Sequence, residues 1–188
     1  MRQLLRSASI AAVVCLAAVG CERSPNPERA SATPAAQPEA VAATITDEHS
    51  YAEPDKVRTT DLALDLAVDF ASKTRSGTAT YALEWLDRNA SQLVLDTRDI
   101  RIRKAEGLSA EGEWTTLEFA LADKDPILGN KLTIEAPEHP TQVRVTYVTS
   151  PEASGLQWLE PSMTEGKKSP FMFSQSQQIH ARSWVPLQ

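Results

Sequence analysis

Gln175 and Gln177 stand two apart near the end of the chain, in the run Phe171–Gln188. On an extended segment, residues at that spacing project to one side. Each side-chain amide offers two N–H donors and one carbonyl acceptor. Such groups orient a peptide backbone or a free amino end without a strong charge, and they act by positioning rather than as nucleophiles. On spacing alone, the pair also fits a plain solvated strand face. No self-contained catalytic pattern competes with it. There is no Gly-x-Ser-x-Gly elbow, no Cys-x-x-Cys, no His-x-x-x-His and no glycine-rich phosphate loop. The three histidines, His49, His139 and His180, are far apart in sequence, and none of the 25 acidic residues is marked out as half of an acid/base pair.

The elements that must position this pair read as strands. Leu62, Leu64, Leu66, Val68 and Phe70 alternate with Ala63, Asp65, Ala67 and Asp69, a period of two that predicts a half-buried strand. The stretch Lys73 to Gly77 reads as the following turn. Ala79, Tyr81, Leu83 and Trp85 read as the inner face of a second strand. Short apolar runs follow at 93–95, 100–102, 117–121, 132–134 and 143–147. Clusters at Glu106-Gly107, Asp125-Pro126, Gly129-Asn130 and Glu138-His139-Pro140 punctuate them. No window after residue 48 sustains a 3.6-residue period. The fold class expected is all-β, with saddle-like or sandwich antiparallel sheets. Phe171, Met172, Phe173, Trp85 and Trp158 read as core or anchoring residues, and residues 162–169 read as a loop.

The first 48 residues read differently. Arg2 and Arg6 precede an apolar stretch from Ile10 to Ala18 that is too short for a membrane-spanning helix. The sequence Ala18-Val19-Gly20-Cys21 resembles a bacterial lipoprotein cleavage site, so residues 1–20 are expected to be a signal peptide and Cys21 a lipidation site; secretion as a soluble protein is the alternative, since position 18 is more often Leu in that motif. Residues 21–48 hold Pro25, Pro27, Pro34 and Pro38 among Ala, Ser and Glu, with no aromatic residue. That composition cannot bury enough apolar surface to offset chain ordering, and it reads as a disordered tether. Loss of Cys15 with the signal peptide would leave no disulfide. The net charge of −6 argues against nucleic acid as a partner, because phosphate binding needs a basic face.

Several motifs occur in a fixed order. They are Arg58-Thr59, Val68-Asp69-Phe70, Ser76-Gly77-Thr78-Ala79, the segment Leu93–Ile100, Thr149-Ser150-Pro151 and Leu156–Leu159. Last comes Phe-Ser-Gln-x-Gln-x-Ile-His-x-Arg over 173–182, followed by Pro186. Together they resemble the N-terminal β domain of zinc aminopeptidases of the leukotriene hydrolase/aminopeptidase N family. Gln at 177 resembles the leukotriene hydrolase branch more closely, since aminopeptidase N carries Glu there.

The resemblance implies that residues 49–188 are that β domain, incomplete at its C-terminal end. It implies that Gln177 contacts substrate near the scissile bond, with Gln175 beside it. It also implies a zinc cofactor in the intact parent, on a His-Glu-x-x-His motif that this chain lacks. The expected partners are a peptide substrate, the missing catalytic domain, and a membrane reached through the lipid on Cys21 at the cell envelope, facing the periplasm. The chain alone is expected to be inactive. Two other readings stand beside this one: a stand-alone lipoprotein binding module, and part of a leukotriene-type epoxide hydrolase. His180 and Arg182, which also match the motif, are expected to be structural, and Gln178 a surface residue.

Overall fold

The computed structural model describes residues 47–188. The signal peptide over 1–20, Cys21 and nearly all of the tether over 21–48 lie outside the described residues. Ten strands follow one another: β1 (Val57–Asp69), β2 (Thr74–Trp85), β3 (Gln92–Thr97), β4 (Arg101–Leu108), β5 (Trp114–Leu117), β6 (Phe119–Leu121), β7 (Asn130–Glu135), β8 (Gln142–Val148), β9 (Leu156–Leu159) and β10 (Phe171–Ser174). Every pairing is antiparallel. The described residues contain three short 3-10 turns and no α-helix. The expected all-β class is what forms.

Three sheets result, ordered β1-β2-β8-β4-β5, β3-β7-β6 and β10-β9. One core fills between the first two. Ala79 and Tyr81 of β2, Ala105 of β4, and Val143, Val145 and Tyr147 of β8 meet Leu93 and Leu95 of β3 and Leu132 and Ile134 of β7. Burying each such large side chain contributes roughly 1.5–3 kcal/mol. The run 117–121 is two strands rather than one. β5 ends at Leu117 on the five-stranded sheet, and β6 starts at Phe119 on the three-stranded one. A single residue, Glu118, thus carries the backbone from one sheet to the other.

The alternating leucines of β1 do lie on the core face, since Leu62 is opposite Tyr81 and Leu64 opposite Ala79. They are less covered than the pattern suggests, because β1 is an edge strand: Leu62, Leu64 and Val68 keep 38–41% of their surface. The turn after β1 also falls earlier than expected, before β2 begins at Thr74, with Lys73 at φ 53. Gly77 is inside β2, at φ 152, where a Cβ would sit 2.0 Å from the Asp65 carbonyl oxygen. Glu106 and Gly107, read as punctuation, are buried inside β4.

Candidate functional site

The Gln-bearing run grows out of the smallest sheet. β10 pairs with β9 from Phe171 opposite Leu159 to Ser174 opposite Leu156. One further ladder bond follows, with the Gln175 amide donating to the Gly155 carbonyl at 2.9 Å. There the extended backbone stops. Residues 177–179 form a turn, the Gln177–Gln178 peptide is cis, and the His180 amide donates to the Ser176 carbonyl at 2.8 Å. Gln175 and Gln177 are therefore not neighbours on one strand face, as their spacing suggested. Gln175 ends a ladder and Gln177 sits on the turn after it. The Gln177 amide points back to the Gln175 Oε1 at 3.5 Å. Both side chains are exposed, as is Gln178.

The turn is held from beneath by a set of hydrogen bonds and one cation–π contact. The Trp184 indole N–H donates to the Ser176 Oγ at 3.0 Å, gripping the residue between the two glutamines. The Arg75 guanidinium lies 4.5 Å over the Trp184 ring, a cation–π contact. The Ser183 Oγ accepts from the Gly155 amide at 2.8 Å and donates to the His180 carbonyl at 2.7 Å. His180 Nδ1 is 2.8 Å from the Ser154 Oγ. At Gly155 the strands and the 3-10 turn His180–Ser183 approach so closely that a Cβ would be 2.6 Å from the His180 carbonyl oxygen. Two sheet tyrosines fix the segment that follows. Tyr81 donates to the Pro186 carbonyl at 2.7 Å, and Tyr147 to the Trp184 carbonyl at 3.1 Å. Burial pushes both phenols above their ordinary range.

Arg182 is structural, as the sequence suggested. Its guanidinium is buried and donates to the carbonyls of Leu128 and His49, at 2.7 and 2.6 Å, and it pairs with the Asp96 carboxylate at 3.1 Å. Asp96 in turn accepts from the Ser50 Oγ and the Tyr51 amide. Its backbone exchanges two hydrogen bonds with Leu187. Phe171 and Phe173 are not core: they keep 54% and 43% of their surface, close to one another and beside the loop. Trp158 packs edge-on against Phe70 at 5.7 Å.

Sequence reasoning passed over Asp96, Ser176, Gly155, Arg75 and Trp184. Only Asp96 carried a readable signal. It is a lone carboxylate inside the run Leu93–Thr97, and a charge placed there has to be paired when the strand is buried. The arrangement as a whole presents two neutral amides to solvent on a rigid frame. It supplies hydrogen-bond donors and acceptors and no nucleophile. Among the described residues no group of three or more His, Cys, Asp or Glu side chains comes together to hold a metal ion.

The family model described as the peptidase M1 N-terminal domain matches residues 49–188. Leukotriene A-4 hydrolase of Xenopus laevis is 35% identical over 149 residues, which cover 77% of this chain and 24% of that protein. Leucine aminopeptidase 2 of Yarrowia lipolytica is 35% identical over 130 residues, covering 68% of this chain and 19% of its own length. Native yeast LTA4 hydrolase superposes with a TM-score of 0.70 at 25% identity, over 78% of this chain and 23% of that one. The chain thus spans about a quarter or less of the length of these relatives.

Proposed function

The chain belongs to the peptidase M1 N-terminal domain family, and from that premise we propose that residues 49–188 are the substrate-binding β domain of a zinc aminopeptidase that removes N-terminal residues from peptides. The observation that carries this reading is the turn itself. It shows two exposed amides, at Gln175 and Gln177, above the Trp184–Ser176 hydrogen bond that fixes the residue between them. Gln177 contacts the peptide near the bond to be cleaved, and Gln175 aligns it alongside. Positioning of this kind converts binding into rate without any group of this domain entering a covalent step.

In this reading the metal and the general base belong to a catalytic domain acting as partner, and the chain by itself is expected to turn over no peptide. In the same reading Cys21 is acylated and holds the protein at the cell envelope, facing the periplasm. Metabolic labelling with a fatty acid, with Cys21→Ser as the control, tests that part alone.

For the peptidase reading, the protein isolated from its own cells with an antibody to residues 49–188 is assayed on an aminoacyl anilide. Turnover that a chelator abolishes is expected. Gln177→Ala should lower kcat/KM by about 10- to 100-fold with unchanged folding. Chelator-insensitive turnover, or a kcat/KM indifferent to Gln177→Ala, overturns the proposal.

A further inference from the structure

At one end of the five-stranded sheet, the β1–β2 turn, the start of β4 and the end of β8 with the segment after it line an open cleft of about 380 Å³. We propose that this cleft is a binding site for a phosphate-type oxyanion. Ser72, Thr74, Arg101, Arg103, Thr149 and Ser150 line it.

The two arginines reach one cleft because they stand two apart on β4, where alternation sends both to the same face. Arg101 is opposite Val148 and Ile102 opposite Tyr147, but the next pair is Lys104 with Thr146. Arg103 is the extra residue of a bulge, which leaves it without a partner on β8 and on the same outward face as Arg101, with the buried Ile102 between them. Neither arginine forms an ion pair among the described residues. Their neighbours do: Lys104 is committed to Glu106, and Lys73 to Glu160. Carboxylates are not scarce in a chain with 25 acidic and 19 basic residues. The one carboxylate on the cleft wall, Asp99, is closed off by Lys124, whose Nζ is 2.7 and 2.8 Å from its two oxygens.

The hydroxyls complete a lining rich in donors. Thr149 Oγ1 accepts from the Arg75 amide and Ser150 Oγ from the Glu152 amide, so each keeps its own hydrogen uncommitted. Ser72 Oγ and Thr74 Oγ1 are 2.8 Å apart, so one donates to the other and the second keeps a hydrogen for a ligand. Two guanidinium forks and three free hydroxyl hydrogens complement a group that has acceptors only and carries more than one negative charge. Free phosphate and a phospholipid headgroup share that chemistry.

The test uses the 188-residue chain labelled with ¹⁵N. Inorganic phosphate replaces chloride at constant ionic strength, and the amide and arginine Nε–H signals are followed. In a parallel arm, the protein is sedimented with phosphatidylglycerol vesicles and with phosphatidylcholine vesicles. Saturable shifts at Arg101, Arg103, Thr149 and Ser150 are expected, weakened at least about tenfold in Arg101→Gln/Arg103→Gln. Arg88→Gln/Lys168→Gln, which removes the same two charges from other exposed positions, should leave them unchanged. Saturation by phosphate without vesicle binding assigns the site to a free phosphate. Sedimentation with the anionic vesicles that the double variant abolishes assigns it to a headgroup. Binding in neither arm, or binding that the double variant retains, overturns the proposal. Both arginines are exposed and unpaired, so the variants are expected to fold, and their amide spectra show whether they do.

Discussion

The Arg182 guanidinium lies 3.1 Å from the Asp96 carboxylate, and the two side chains keep only 5% and 1% of their surface. This pair ties the segment after the Gln turn to β3 and, through Ser50 and Tyr51, to the segment that leads into β1. Removing one partner leaves an uncompensated buried charge. Asp96→Ala or Arg182→Met should therefore each cost about 3–5 kcal/mol in urea titrations. The double variant should cost less than the two single changes together. Losses under about 1 kcal/mol for either single change would show that the pair is not what holds these segments.

Gly155→Ala tests the close approach under the turn. The new Cβ would meet the His180 carbonyl at 2.6 Å, the Trp184 ring at 2.8 Å and the Ser183 Oγ at 3.0 Å. Backbone and ring cannot all give way. A loss of about 1–3 kcal/mol is expected, with shifts concentrated at 175–184 in the amide spectrum. Gly112→Ala is the comparison: a Cβ there has nothing within 4 Å and faces only the strain of φ 85. Equal spectral change around 175–184 in both variants would sink the packing argument.

The buried phenols of Tyr81 and Tyr147 set the alkaline limit. Both pKa values are raised by burial, so the folded state holds its protons after the unfolded chain has lost them. Their stabilising contribution is complete below the ordinary tyrosine range and is lost as pH rises above it. The loss should be about 1.4 kcal/mol per pH unit for each phenol. In Tyr81→Phe/Tyr147→Phe, absolute stability falls with the lost hydrogen bonds to Pro186 and Trp184, but the slope above about pH 10 flattens. A slope identical to that of the unaltered protein would exclude these two groups as its source.

Glu106 acts at the acid end. Its hydrogen bond to Lys104 and its pairing with Arg144 hold the carboxyl below the usual glutamate range. The contribution is therefore present above that range and is lost as pH falls through the lowered value. Glu106→Gln should be less stable near neutrality and show a shallower decline below about pH 4.5. A decline as steep as before would place the acid sensitivity elsewhere.

Much of the architecture was legible because period-two alternation reports which face is covered. Val143, Val145 and Tyr147, or Leu132 and Ile134, are buried as their spacing implies. Alternation says less about how much cover an edge strand receives, which is why Leu62 and Leu64 keep so much of their surface. The motif over 173–182 located the candidate site, but its geometry was not legible. A turn overrides the strand spacing of Gln175 and Gln177, and the residues that grip it lie as far away as Arg75 and Gly155. Such partners meet only through the tertiary fold, and no local pattern marks them. The spacing of Arg101 and Arg103 was legible but their cleft was not, since its other walls, at Ser72, Thr74 and Thr149, come from segments that meet only through the sheet.

The frame of the Gln turn is closed by bonds between opposite ends of the domain. Arg182 reaches the His49 carbonyl across 133 positions, and Gln188 reaches the Val57 carbonyl across 131. Contacts of that separation come late on a folding path, because the loop they close must be ordered before they repay it. On the ribosome the order is stricter still. At about 5–20 residues per second, the chain around His49 waits on the order of ten seconds for its partner to be synthesised. The β1–β2 hairpin can zip during that interval, whereas the two amides take their places only when the last of these residues emerges.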